Sequence, residues 1–489
     1  MNSPDKHILE YIKIDKNIAT PIYIQLVEQI IKGIQLGFLE NGTKLPGTRQ
    51  LSEILNLNRN TIVKSLDELQ AQEWIKIIPN KGTYIDIKAH EFKNRISAKT
   101  TDGFTEKAEF YFEESVLFDL PEVPTSHQII LDDGIVDSKL IEYKIPAKNY
   151  AGLLKRNINP TLSKNAFEKH FTNYIKLSRN INCKPDHLLI ANNQEIILHI
   201  ICKILNSNQL NLAIPELNHY KSNIIFLSNN VKLQPIKMVK DGFDLIKLEY
   251  LAKNKTINAL YLPSNFSYPT TNSLSFFQRS KIENLAEKYN LILIEHDPFS
   301  DYYYTPNTIN PFVASHFNNR TIYISKFGDF LSHNYNFGFL IGPSNFIKEA
   351  KKHLFLLESN RDNIALQTVG EMIKEGEIVR ILKKHRKIYK EKRDYIYNLL
   401  LAKFKNDIDL SLPKGGLAIW IEWKKSINLL QLKNELEKFS IYIPQHCLYQ
   451  TKQVTAIRLG FASLDLNQIE TIVNQLYNCY HLLKNKASN

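Results

Sequence analysis

The stretch LPGTRQLSEILNLNRNTIVK, residues 45–64, organises the N-terminal part of this 489-residue chain. After the turn Leu45-Pro46-Gly47, Thr48 is placed to cap a short helix carrying Leu51, Ile54 and Leu55. Asn56-Leu57-Asn58 separates it from a second helix, with Asn58 at the cap and Ile62, Leu66 and Leu69 as the inner stripe. Arg59, Asn60, Thr61 and Lys64 point away from that stripe at the helix start. Two short helices around a tight turn, with polar side chains leading the second, form a helix-turn-helix pattern whose second helix suits the DNA major groove.

Upstream, Ile24, Val27, Ile31, Ile34 and Phe38 recur at helical spacing and predict a preceding helix, with Pro21 at its start and Gly37 or Gly42 at its end. Downstream, Trp74 to Ile78 and Thr83 to Ile85 flank the turn Pro79-Asn80-Lys81-Gly82 and predict a β-hairpin. A hairpin after a helix-turn-helix is a wing, and Lys81 at its tip suits phosphate or minor groove.

The composition is that of a folded protein, 43% hydrophobic and 23% charged, and the length points to about three domains. The net charge of +12 raises nucleic acid as a partner. Its distribution is uneven: residues 1–90 hold 11 Lys and Arg against 10 Asp and Glu, so +11 lies beyond them. DNA contact by the N-terminal segment must therefore rest on placed side chains. Cys183, Cys202, Cys447 and Cys479 form no CxxC pair, which argues against a disulfide framework or a metal site. The first residues lack the apolar core of a signal peptide, and no apolar run approaches the roughly 18 residues of a membrane span. The expectation is a cytoplasmic chain without membrane contact.

Leu45-Pro46-Gly47-Thr48-Arg49, Asn58-Arg59-Asn60-Thr61-Ile62 and Lys81-Gly82-Thr83-Tyr84 resemble the LPSxR, SRNTV and GxGTF signatures of GntR-type winged-helix repressors. The resemblance runs from about Ile14 to Asp86 and implies a DNA-binding domain over 14–86. It implies DNA contact by Arg49, Arg59, Asn60, Thr61, Lys64, Lys81 and Gly82. Gly47 and Asn58 replace two Ser positions and Asn80 a wing Gly; Asn caps helices and tolerates positive φ, so both motifs survive. Ile77-Ile78 stand where the family commonly carries arginines, which lowers the expected nonspecific affinity.

Residues 87–127 mix charge with Ser, Thr, Gly and Pro and read as a linker, with one short element near Phe110 to Phe118. Beyond it, short β-branched runs (187–191, 211–215, 259–263, 291–295, 321–325) alternate with helical segments, predicting an α/β domain with a mostly parallel sheet. Cys183-Lys184-Pro185-Asp186, Pro269-Thr270, Glu295-His296-Asp297-Pro298-Phe299, Pro413-Lys414-Gly415-Gly416-Leu417 and Ile457-Arg458-Leu459-Gly460-Phe461 occur in order. They resemble the landmarks of fold-type-I, aminotransferase-like domains that use pyridoxal phosphate. Such a domain over 128–489, with a small α/β subdomain at roughly 375–489, fused to a GntR-type winged helix is the architecture of MocR-type transcriptional regulators. The resemblance also implies a homodimer.

Chemistry in that fold needs a lysine to hold the cofactor as an imine, a carboxylate on the pyridine nitrogen, phosphate donors and an arginine for the substrate carboxylate. Aligned without a gap to IYxGxFSKxL, Ile322 to Leu331 puts Asp329 at the lysine position and Gly328 at the adjacent phosphate-binding Ser. Asn336 falls on an Arg position. Against EDDPY, His296 replaces the pyridine-binding Asp and Phe299 the Tyr; Tyr268 begins the counterpart of NPTG. Asn193 replaces a phosphate-cup Gly, and Glu195 lies near the phosphate position. Tyr220 keeps the ring-stacking aromatic and Arg458 the carboxylate-binding position. Lys326 is the alternative lysine, at the cost of the match at Tyr323, Leu331 and Gly338.

These changes predict a domain without transaminase chemistry and without covalent cofactor, hence no catalytic residues. Glu195, Tyr220, Tyr268, His296, Phe299, Asp329, Asn336 and Arg458 would then line a degenerate pocket open to a small effector, an amino acid or an amine. Arg458 has two readings, a carboxylate receptor or a structural ion-pair partner. The rival functions are a regulator that still binds pyridoxal phosphate, an aminotransferase, and a purely dimerising domain. The basic run Lys374 to Arg393, nine Lys and Arg against three acids, reads as a DNA-docking or a solvated face.

Overall fold

The computed structural model describes residues 12–16, 18, 20–86, 107–119, 128–156, 160–239, 242–263, 265–305, 310–315, 319–358 and 362–486. Most of the expected linker, 87–106 and 120–127, lies outside them. The chain divides into two compact units, Met1–Glu114 and Ser115–Asn489.

The N-terminal unit holds α1 (Ile22–Gln35), β1 (Lys44–Leu45), α2 (Thr48–Leu55), α3 (Arg59–Ala71), β2 (Ile75–Ile78) and β3 (Gly82–Ile85). In α1 the core face is Leu26, Val27, Ile30 and Ile34, and Phe38 is 61% exposed. The expected stripe was therefore turned by part of a helical turn. The two apolar rows interleave, and Phe38 lies beyond the helix end at Gln35, past Gly37 with its φ of +76°. Gly47, with no side-chain bond, takes the N-cap expected of Thr48, which becomes the first residue of α2. Asn56 closes α2 in the left-handed region (φ 48°), and the Asn58 side chain accepts the Asn60 amide to start α3. Ile62, Leu66 and Leu69 are buried, and Ser65 Oγ donates to the Tyr23 and Thr61 carbonyls, tying α3 to α1. β1, which the sequence reading did not include, pairs with β3 on the side away from β2, giving the order β1-β3-β2.

The large unit opens with β4 (Ile129–Ile130), α4 (Lys144–Lys155), α5 (Pro160–Arg179), β5 (Leu188–Ala191) and α6 (Gln194–Leu205). It continues with β6 (Asn211–Pro215), α7 (Tyr220–Ser228), β7 (Lys232–Ile236), the hairpin β8 (Met238–Val239) and β9 (Gly242–Phe243), α8 (Leu245–Lys253), β10 (Ala259–Pro263) and α9 (Phe276–Tyr289). Then come β11 (Ile292–His296), β12 (Thr321–Phe327), β13 (Phe337–Ile341), α10 (Ser344–Leu357), α11 (Asn363–Lys374) and α12 (Glu377–Phe404). The chain closes with β14 (Ile408–Leu410), β15 (Ala418–Trp423), α13 (Leu429–Glu437), β16 (Ile441–Tyr442), β17 (Leu448–Gln450), β18 (Thr455–Gly460) and α14 (Leu466–Lys486).

Seven strands form one sheet in the order β5-β13-β12-β11-β10-β6-β7. Neighbours pair in parallel except at β13, which runs antiparallel to both β12 and β5. Both sheet faces are covered, so β10 and β13 read as continuous apolar runs. A second, antiparallel sheet β14-β15-β18-β17 packs with α12 to α14. Ile129–Ile130 pairs in parallel with β16, so the first strand of the unit joins its last part.

Of the basic run in α12, Lys392 pairs with Asp137 at 2.9 Å, Arg393 donates to the Pro413 carbonyl at 2.7 Å, and Arg386 to the Asp301 carbonyl at 2.7 Å. Those three cations are structural, while Lys383, Lys384, Lys387 and Lys390 are exposed.

Candidate functional site

In the N-terminal unit the expected DNA contacts sit on three elements. Arg49 is the second residue of α2, Arg59, Asn60, Thr61 and Lys64 occupy the first two turns of α3, and Lys81 and Gly82 form the hairpin tip. Arg49, Arg59, Asn60 and Lys81 are exposed, and among the described residues the three cations make no ion pair. Lys64 differs: its ammonium lies 3.8 Å from the centre of the Tyr23 ring. At the hairpin, Asn80 (φ 61°) and Gly82 (φ 121°) supply the positive φ angles of a three-residue turn, and Tyr84 Oη donates to the Lys81 carbonyl.

In the large unit a cavity of about 200 Å³ opens where the parallel strands end. Pro215 of β6, Pro263 of β10, His296 of β11 and Lys326 of β12 form its floor. Helix starts supply Gln194 and Glu195 from α6, and His219, Tyr220 and Lys221 from the start of α7. Asp133, Gly134 and Ile135, just after β4, form another wall. A crevice at the carboxyl ends of parallel strands is the usual ligand site of such sheets.

His296 is engaged at both nitrogens. Its Nε2 meets Gln194 Oε1 at 2.9 Å, and its Nδ1 meets Tyr261 Oη at 2.5 Å. With the amide oxygen of Gln194 as acceptor, Nε2 carries the proton and Nδ1 accepts from Tyr261, whose oxygen accepts in turn from Ser222 at 3.2 Å. Burial, aided by His219 and Lys326, drives the His296 pKa down to about 3. Burial also takes His219 down to about 4, against the pull of Asp133. Both imidazoles are neutral at pH 7.

Lys326 pairs with Asp329 at 2.5 Å. Burial alone would lower its pKa, but Asp329, with Asp133 and Glu195 adding, holds it above the ordinary lysine value. Arg458 lies behind the wall, 2% exposed, stacked 4.5 Å from the Tyr268 ring centre. Its Nε donates to the Asp133 carbonyl and its Nη1 to the Pro269 carbonyl, each at 2.7 Å. Burial raises the Asp133 carboxyl, but Arg458 foremost, then His219 and His446, hold it below its ordinary range; Tyr268 Oη donates to it at 3.0 Å.

Of the eight expected pocket residues, Glu195, Tyr220, Tyr268, His296 and Phe299 line this cavity. Asp329 reaches it only through Lys326, and Arg458 stands behind it, its guanidinium engaged by backbone carbonyls. Asn336 lines a separate cavity with Asn192, Tyr335 and Asp362. Gly328 has φ +94°, and a Cβ there would lie 2.6 Å from the Tyr335 carbonyl oxygen, so the backbone admits no side chain. Asp133, Gln194, His219, Lys221 and Tyr261 were not anticipated. His219 beside the expected Tyr220 was the readable signal; Tyr261 sits inside a run that reads as core.

Residues 22–85 match the model of the family described as bacterial regulatory proteins, gntR family. The whole chain is 21% identical over 471 residues to the uncharacterized HTH-type transcriptional regulator YdeL of Bacillus subtilis (strain 168), covering 95% of this chain and 97% of that one. It is 24% identical over 457 residues to the HTH-type transcriptional regulator NorG of Staphylococcus aureus (strain USA300), covering 90% and 99%. In structure the chain is similar to an archaeal alanine:glyoxylate aminotransferase, with a TM-score of 0.65 at 19% identity over 73% of this chain and 91% of that one. The kynurenine aminotransferase of Pyrococcus horikoshii gives a TM-score of 0.64 at 17% identity, covering 73% and 91%. The N-terminal unit thus carries a GntR-type DNA-binding domain, and the large unit has the fold-type-I, aminotransferase-like fold. Among the described residues no helix is long and apolar enough to cross a membrane, and no group of His, Cys, Asp or Glu is placed to hold a metal ion.

Proposed function

The chain is a transcriptional regulator of MocR-type architecture, and we propose that its large domain senses a small effector and dimerises without transaminase chemistry. In this reading residues 14–86 bind a double-stranded operator, 87–127 link, and 128–489 bind effector. Arg49, Arg59, Asn60, Thr61, Lys64, Lys81 and Gly82 contact DNA, the helix residues reading bases and the wing holding phosphate.

One observation carries the non-enzymatic reading: the cavity's donor set does not fit pyridoxal phosphate. Where the resemblance puts the pyridine-binding carboxylate stands His296, neutral and already bonded at both nitrogens. Such a group cannot keep a pyridine nitrogen protonated. Where it puts phosphate donors stand the side-chain-free Gly328 and, in the first turn of α6, the Glu195 carboxylate. An anion already at a helix N-terminus repels a phosphate. One observation favours the rival enzyme, since Lys326 extends into the cavity. Its ion pair with Asp329 opposes that reading, because an ammonium held protonated is not a nucleophile.

The regulator reading is tested by selection of duplexes from a random pool with the purified chain. A defined motif is expected to enrich, and Arg59→Ala to enrich it more weakly. Failure of the natural chain to enrich a motif overturns it.

A further inference from the structure

Building on the effector-site reading above, we propose that the cavity takes an organic amine, its ammonium anchored on the Glu195 carboxylate. Lys326 is matched by Asp329 at 2.5 Å. Arg458 is engaged by two carbonyls and helps hold the neighbouring Asp133 carboxyl below its ordinary range, where that carboxylate also accepts the Tyr268 hydroxyl. His219 and His296 are neutral. Glu195 remains: among the described residues its side chain makes no hydrogen bond or ion pair, though it lines the cavity and is half-buried.

The remaining lining cation, Lys221, is exposed, so water screens its charge. An incoming carboxylate must compete with Asp329 for Lys326 or draw Arg458 away from two charge-assisted bonds. Either exchange forfeits an interaction already made. An ammonium meets Glu195 with no ion pair or hydrogen bond to displace, since Lys326 acts on Glu195 only from beyond ion-pair distance and is itself paired with Asp329; the rings of Tyr220 and Phe266 in the lining favour a cation further. The anchor expected of an amino-acid ligand, Arg458, is thus unavailable, which separates amines from the amino acids that differ from them by one carboxylate.

The experiment is calorimetric titration of the full chain with matched pairs: phenethylamine and phenylalanine, tyramine and tyrosine, putrescine and ornithine. At least one amine is expected to bind about tenfold or more tightly than its amino-acid partner. Glu195→Gln is expected to remove that affinity while leaving the melting temperature unchanged, and Glu195→Asp to keep the preference for the amine. An amino acid that binds as well as its amine, or binding indifferent to Glu195→Gln, overturns the amine assignment while the effector reading stands. Heat from no member of the panel overturns both.

Discussion

The helix-turn-helix and the strand-end cavity treat their charges in opposite ways. Arg49, Arg59 and Lys81 stand exposed with no ion pair among the described residues, on a scaffold with a largely apolar core. In the cavity, Lys326, Arg458 and Asp133 are engaged by partners within the same unit. Unmatched cations are what a surface needs to meet a polyanion, since each phosphate contact then replaces only solvent and counterions. Matched charges instead fix a wall. The lesson is that exposed cations leave a surface open to a charged partner, whereas paired ones are already committed to the fold.

The comparison breaks first at Arg458. Arg458→Ala removes two charge-assisted bonds to carbonyls from a buried guanidinium, each worth about 1.5–3 kcal/mol, so a loss of about 3 kcal/mol or more is expected. Urea unfolding of the full chain checks this; a loss below about 1 kcal/mol would make Arg458 a free receptor rather than a clamp. On the DNA side, Arg59→Ala should cost on the order of 1–3 kcal/mol of operator affinity by mobility shift and leave stability unchanged. Equal affinity would remove Arg59 from the interface.

Acid supplies a third test. His296 has a folded pKa near 3, below its unfolded value, so it adds no pH dependence above about pH 6.5. As pH falls below that, only the unfolded chain takes the proton, and stability drops until the folded pKa is reached. At pH 5 the loss from this one group is about 2 kcal/mol. His296→Gln should flatten the profile by that amount, and an unaltered profile would mean that His296 is not held neutral. The smallest effect is at the wing. Lys81→Ala should lower the slope of log affinity against log salt by about one, with little effect on sequence preference.

How far the sequence could be read follows the range of the interactions. Asn58 as cap and Ile62, Leu66 and Leu69 as core are local facts, legible from spacing. Strands 211–215 and 259–263 are legible because a parallel strand covered on both faces is a nearly unbroken apolar run, Leu212 to Pro215 and Ala259 to Pro263. β1 and β4, two residues each, carry no periodicity at all. Spacing alone does not fix which face of α1 is buried, because two interleaved apolar rows fit one period. In the cavity, Glu195, Tyr220, Tyr268, His296 and Phe299 came from aligned motif positions. The engagement of Arg458 by Asp133 joins residues 325 apart, and only tertiary structure brings them together. Lys326 shows the same limit, since its pairing with Asp329 depends on how β12 ends.

On the proposed reading, the large domain keeps the aminotransferase-like frame without the cofactor's covalent chemistry. Its direct test is the purified full chain mixed with pyridoxal phosphate, treated with borohydride and analysed by peptide mass. No visible absorption beyond that of the free cofactor and no reduced adduct on any lysine of the cavity are expected. A borohydride-fixed adduct on Lys326 would contradict it.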